Sequence, residues 1–190
     1  VPMLILPDGN VLSDSWEIAH SCGMKNVKEE LMSLYDDELG PLCRQAVYGY
    51  LLKPENRNIW DGLVTSERYG GLWSFLWNIG IAGKLTTTME STFATNSDQA
   101  CKEALQKLRD VFEKIAESRL RIRKGKYING DEISVEDVAL SALAASVVLP
   151  RLYCGGIYSH WFDMLYEQDE EARKFIDEFR DTDVGKYATA

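Results

Sequence analysis

The stretch 129-NGDEISVEDVALSALAASVVLP-150 decides how the rest of the chain is read. Ser134 stands at a helix N-cap position and Asp137 follows three residues later, so each side chain can satisfy the other's backbone N–H in a capping box. Ile133 before the cap and Val138 after the first turn have the spacing of a hydrophobic staple. The following turns are almost all Ala, Leu and Val. A surface helix carries one apolar stripe, whereas a helix apolar all round must be covered on most sides, so this segment is expected to be the central helix of the fold. Pro150 closes it, having no N–H to continue the ladder.

The neighbouring segments have the same helical period. From Asp98 to about Arg121, the residues Cys101, Leu105, Leu108, Phe112 and Ile115 line one face at steps of four, three, four and three. That helix runs into 119-RLRIRKGK-126, where Arg119, Arg121, Arg123, Lys124 and Lys126 either bind an anion or answer the negative end of the helix macrodipole. Two more helices are expected around Ser159 to Tyr166 and Glu170 to Phe179, with EQDEEAR as the acidic first turn of the last one. Upstream, apolar spacing predicts a helix from about Asn26 to Leu52, bent or interrupted at Gly40-Pro41. A loop is expected at KPENRN, then helix from about Ile59 to Leu85 with a break near Gly70-Gly71. A polar Thr-rich link, 86-TTTMESTFATNS-97, follows.

The first residues differ. In 1-VPMLILPDGNVLSDSWEIA-19, Met3 to Leu6 is an apolar run, Pro7 to Asn10 is turn chemistry around Asp-Gly, and Val11-Leu12 returns, which predicts a hairpin. Ser13 and Asp14 are both good N-caps, and Asp14 with Glu17 makes a capping box for a short helix that Cys22-Gly23 ends. The expected fold is therefore mostly α, with a small α/β segment over residues 1–25 and an all-helical domain over 26–190.

Composition narrows the function classes. With 45% apolar residues in 190, the chain can build a real core, and a net charge of -9 argues against a broad nucleic-acid or anionic-lipid surface. Cys22, Cys43, Cys101 and Cys154 are far apart and without a histidine cluster, so the sequence suggests neither a zinc site nor a disulfide framework, but thiols of a reducing compartment. The uncharged stretch YGGLWSFLWNIGIAG falls short of the roughly 18 apolar residues a bilayer span needs. With Trp73 and Trp77 it reads as a buried helix pair or as a docking surface. No signal segment is visible and no Met opens the chain, so a targeting peptide preceding Val1 stays open.

The N-terminal and central stretches together resemble the glutathione S-transferase superfamily from the third strand of its thioredoxin-like domain onward. The resemblance rests on Val1-Pro2, the hairpin, Asp14-Ser15 opening a helix, the Ser134 to Asp137 box within GDEISVEDVALSAL, and the tail DEFRDTDVGKY with its Arg-x-Thr-x-x-Gly pattern. It implies a partial thioredoxin-like segment followed by the family's all-helical C-terminal domain, in a cytoplasmic or organellar protein. Glutathione is then the expected ligand. Ser15, with hydroxyl and amide at a helix start, suits the γ-glutamyl carboxylate. A cis Val1-Pro2 bond would turn the Val1 main chain toward the cysteinyl part. Val1, Pro2, Asp14 and Ser15 are thus candidate binding residues, although Asp14 and Ser15 serve equally well as a plain cap.

The family's thiol-activating Tyr, Ser or Cys lies before the Val-Pro step and has no counterpart in this sequence, which implies either a fragment or a protein without that half. Two functions follow. One is glutathione binding with conjugation of its thiol to an electrophile, as a homodimer. The other is a non-catalytic subunit docking in a larger assembly, possible in an organellar membrane complex, with Trp60 to Trp77 as contact surface. Tyr48, Tyr50 and Trp73 are candidates for an acceptor cleft. His20 and His160 stand alone, and Cys43 beside Arg44 is a remote redox candidate.

Overall fold

A computed structural model describes residues 3–24, 29–65, 77–156 and 159–190. Val1, Pro2, Trp73 and the Gly70-Gly71 step lie outside the described residues. Two short strands, β1 (Leu4–Ile5) and β2 (Val11–Leu12), pair antiparallel with Leu4 opposite Leu12 and Ile5 opposite Val11. Gly9 takes φ 87° in the turn, and the Asp8 carboxylate accepts from both the backbone and the side chain of Asn10, at 3.0 and 2.9 Å. Because side chains alternate across a strand, Leu4 and Leu12 share the half-buried face, while Ile5 and Val11 are left 71% and 55% exposed. Helix α1 (Ser15–Ser21) follows, and Gly23 at φ 86° ends it, as its sequence predicts.

The rest of the described chain is mostly helical: α2 (Glu29–Ser33), α3 (Gly40–Leu51), α4 (Arg57–Thr65), α5 (Ala82–Thr92), α6 (Asp98–Ile115), α7 (Val135–Val148), α8 (Ser159–Gln168), α9 (Glu170–Arg180) and α10 (Asp183–Thr189). The expected bend or interruption at Gly40-Pro41 takes the form of a π-helical turn just before it, and the chain stays helical through the proline. A π-helical turn, Leu34–Leu39, joins α2 to α3, and the Gly40 N–H reaches back five residues to the Tyr35 carbonyl. The wider turn admits the proline ring, and Gly40 itself stays helical at φ -60°. KPENRN is more ordered than a loop: Pro54–Asn56 form a 3-10 turn, and buried Asn56 donates to the Tyr50 carbonyl at 2.9 Å and to Asp169 at 2.7 Å. The Thr-rich link is also corrected, since helix continues to Thr92; Thr86 faces inward and accepts from the Trp60 indole at 3.2 Å. A real kink lies at Gly80, φ 130°, inside the π turn Trp77–Ile81.

Helix α7 is the centre of the core. Val135, Leu140, Ala144, Val147 and Val148 are buried, and α3, α9 and α10 pack on it, with α1 touching its side. The staple expectation fails in one respect: Ile133 and Val138 are 55% and 42% exposed, so the described residues cover neither. On α6 the buried face is Ala104, Leu108, Val111, Phe112 and Ile115, with Cys101 and Leu105 at its margin. Trp60 and Trp77 are buried in a second apolar cluster, which removes them as a contact surface.

The tail holds both ends of α7. Arg180 donates from Nε to the Val148 carbonyl at 2.7 Å and from Nη2 to the Leu149 carbonyl at 2.9 Å, satisfying acceptors that the helix end leaves open. Thr182 caps α10 by accepting from the Gly185 N–H at 3.0 Å and donates to the Phe179 carbonyl at 2.6 Å. Gly185 is pressed so close that an added Cβ would lie 2.0 Å from the Phe179 oxygen and 2.8 Å from the Arg180 Cα. Backbone cannot yield as a side-chain tip does, so Gly185→Ala is expected to cost about 3 kcal/mol; a urea melt at neutral pH checks this, read from the fall in midpoint at unchanged slope.

Candidate functional site

At the start of α1, Asp14 has the extended backbone of an N-cap (φ -106°, ψ 136°). Its Oδ1 accepts from the N–H groups of Trp16 and Glu17 at 2.8 and 3.1 Å. Among the described residues the Glu17 carboxylate makes no return bond, so the motif is a cap rather than the expected box. Ser15 is exposed, and no described residue accepts from its N–H or bonds its hydroxyl. The next residue fixes the position of both. Trp16 is buried, its ring 6.1 Å from that of Tyr35, and its indole N–H donates to Asp36 Oδ2 at 2.6 Å. Trp16 therefore ties α1 to the helical body while Ser15 points away from the core. Val1 and Pro2, the other two candidate binding residues, lie outside the described residues.

The Ser134–Asp137 box is present and extended. Asp137 Oδ2 accepts from the Ser134 N–H at 2.7 Å and from its hydroxyl at 2.5 Å. Its Oδ1 accepts from the Ile128 N–H at 2.8 Å and from the Tyr187 hydroxyl. Burial alone pushes the Asp137 carboxyl up; these hydrogen bonds to its charged form outweigh that and hold it below the ordinary carboxylate value. The Tyr187 hydroxyl is pushed up by burial and by the Asp137 charge.

Beside it is a second buried carboxylate that the sequence reading missed. Glu136, wholly buried, takes Arg119 in a two-point pair, Nε to Oε1 at 2.6 Å and Nη2 to Oε2 at 2.5 Å. The Tyr35 hydroxyl and Asn129 Nδ2 add bonds at 2.9 Å each. Burial and the adjacent Glu136 charge push the Tyr35 hydroxyl up, while hydrogen bonding to Glu136 raises Arg119 further. A signal existed: Glu136 is the one charge in the apolar helix after Asp137 is assigned to the cap. Of the five cations in the basic run, two are absorbed by such contacts: Arg119 by Glu136, and Arg121 by Glu113 at 2.5 Å and Asp183 at 2.8 Å.

Among the described residues, no hydrogen bond links Ser15 to a group able to activate a thiol. Burial pushes the Cys43 thiol far up, so its neighbour Arg44 does not make it a redox centre; Cys22 is exposed. His20 lies 3.4 Å from the Met24 carbonyl and His160 rests against Trp161. Tyr50 stacks on Phe175 with ring centres 4.9 Å apart. Tyr48 stacks on Phe93 and, with Trp60, Leu63 and Arg44, lines a mainly apolar pocket of about 540 Å³; burial raises its hydroxyl. Among the described residues no cluster of three or more His, Cys, Asp or Glu could hold a metal, and no helix is long and apolar enough to cross a membrane.

No family model, no curated protein and no solved structure matches the chain.

Two outcomes follow from the buried carboxylates. Arg119→Met leaves Glu136 buried without its cation and is expected to lower stability by about 3 kcal/mol; the triple change Arg119→Met, Glu136→Leu, Tyr35→Phe recovers most of the loss in the same denaturation measurement. For Asp137, the folded value lies below the unfolded one, about 3.8. Its stabilisation is therefore fully present above pH 3.8 and is lost as pH falls through the lower folded value. Asp137→Asn is expected to cost roughly 2–4 kcal/mol at pH 7 and to flatten the acid limb of a stability-against-pH curve.

Proposed function

We propose that this chain is the glutathione-holding and helical part of a glutathione S-transferase-like protein. The observation that carries the reading is the start of α1: Asp14 caps the helix with Oδ1 alone, while the Ser15 N–H and hydroxyl stay open at its positive end. In this reading Ser15 takes the γ-glutamyl carboxylate and Asp14 Oδ2 takes the neighbouring ammonium. Val1 and Pro2, which lie outside the described residues, are assigned in the same reading to the cysteinyl part. The order of parts also supports it: a hairpin, a capped helix docked by Trp16, and a helical domain whose buried helix opens on the Ser134–Asp137 box. Conjugation needs a further group that lowers the sulfur pKa from about 8.5; the reading assigns that role to no described residue. Calorimetric titration of the full chain with glutathione is expected to give saturable heat. Ser15→Ala should weaken binding about tenfold, with the melting temperature little changed. Absence of heat at millimolar glutathione contradicts the reading.

A second reading, a non-catalytic subunit of a larger assembly, draws on the hairpin. Met3, Ile5 and Val11 expose apolar side chains on and beside the hairpin, an area that a partner protein would cover. A free monomer or homodimer in size-exclusion chromatography of native extract counts against it.

A further inference from the structure

Asn129-Gly130 is the one Asn-Gly step in the chain. Such a step carries its own reaction. With no side chain on the glycine to crowd the approach, the Gly130 backbone nitrogen can reach Cγ, the amide carbon of Asn129. Attack there forms a five-membered succinimide ring. The Gly130 N–H proton passes through water to the departing nitrogen, the Cγ–Nδ2 bond breaks and ammonia leaves. Water then opens the ring at one of its two carbonyls, leaving aspartate or isoaspartate at position 129. One water is consumed and one ammonia released; nothing is oxidised or reduced.

This amide belongs to the Glu136 cluster. Its Nδ2 donates to Glu136 Oε2 at 2.9 Å and to Ser134 Oγ at 3.0 Å, and its Oδ1 accepts from Arg119 Nη2 at 3.0 Å. The nucleophile is held as well. The Gly130 N–H donates to the Tyr127 carbonyl at 3.3 Å, and the Gly125 and Gly130 main chains lie so close that a Cβ on Gly125 would be 2.4 Å from the Gly130 carbonyl carbon. Asn129 itself is exposed, so water has access to it and the guard is geometric. Ring closure needs the side chain and the Gly130 nitrogen to move together, which the three bonds of the amide and the contact with Tyr127 resist.

The product does not fit the place of the reactant. Hydrolysis puts a carboxylate where a donor stood, facing Glu136, whose cation Arg119 is already engaged by both Glu136 oxygens. Like charges at this spacing beside a buried carboxylate disfavour the closed arrangement. We propose that Asn129 is a deamidation site held in check by the Glu136 cluster, and that its conversion by water irreversibly marks chains in which the cluster has opened. The inference concerns the join between α6 and α7 and stands whether or not glutathione binds at the start of α1.

The test incubates the full chain at mildly alkaline pH, folded and in guanidinium chloride, and follows each asparagine by peptide mass spectrometry with isoaspartate detection. Asn129 is expected to convert at least about tenfold more slowly in the folded chain than in the unfolded one. Arg119→Lys keeps the charge but loses the planar fork that reaches Glu136 and Asn129 together, and should speed conversion of the folded chain about threefold or more. For the product, Asn129→Asp is expected to lower the melting temperature by about 5 °C, whereas Asn96→Asp, the same change of charge on an exposed residue before α6, lowers it by less than about 1 °C. Adding Glu136→Gln to Asn129→Asp exchanges amide and carboxylate between the two positions around Arg119, and should recover at least about half of that loss. Slowing by less than about tenfold on folding, an unchanged rate in Arg119→Lys, equal melting temperatures for Asn129→Asp and Asn96→Asp, or a double variant no more stable than Asn129→Asp alone would each overturn the proposal.

Discussion

Asp137 gathers donors from three segments: Ser134 in its own cap, Ile128 in the loop before it, and Tyr187 near the end of the chain. A buried carboxylate is stable only when its lone pairs are met, so each of these segments must be in place for the charge to remain inside. At the other end of the same helix, Arg180 closes the Val148 and Leu149 carbonyls. Residues 180–187 therefore hold α7 from both ends, and the tight seat of Gly185 against the Phe179 carbonyl sets the spacing between the two holds. The most apolar of the described helices is located by its polar termini.

The Glu136 pair works on the same principle with a different result. Arg119, Tyr35 and Asn129 reach it from the end of α6, from the π turn before α3, and from the loop before α7. Tyr35 is also the ring beside which Trp16 is buried. A line of contacts thus runs from the core carboxylate through Tyr35 to Trp16, and so to the neighbours on either side of it, Ser15 and Glu17. The orientation of the α1 start, on which the proposed glutathione contact depends, follows from packing in the helical body. Such buried pairs add little net stability over apolar replacements, but losing one partner is costly, so they act mainly to fix arrangement.

Much of the helical pattern was legible in the residues. The capping box, the buried run after it, the face of α6 and the Gly23 stop follow from local rules, because caps and periodicity act within a few residues. The errors came where distant contacts decided the outcome. TTTMEST became helix because Thr86 found Trp60, 26 residues away. Ile133 and Val138 had staple spacing but no cover. Of the candidate site, Asp14 is a cap as its residue type suggested, and Ser15 is open. Nothing in the sequence alone joined Arg119 to Glu136 or Tyr187 to Asp137, since those partners are 17 and 50 residues apart.

If the tail and the start of α7 are one cooperative unit around Asp137, their amides must open together. Native-state hydrogen exchange in low urea measures this directly at the N–H groups of Ile128, Ser134 and Gly185. The account predicts one common opening free energy for all three, equal to that of global unfolding. A Gly185 amide that exchanges by a separate, lower-energy opening while Ile128 and Ser134 stay protected would contradict it.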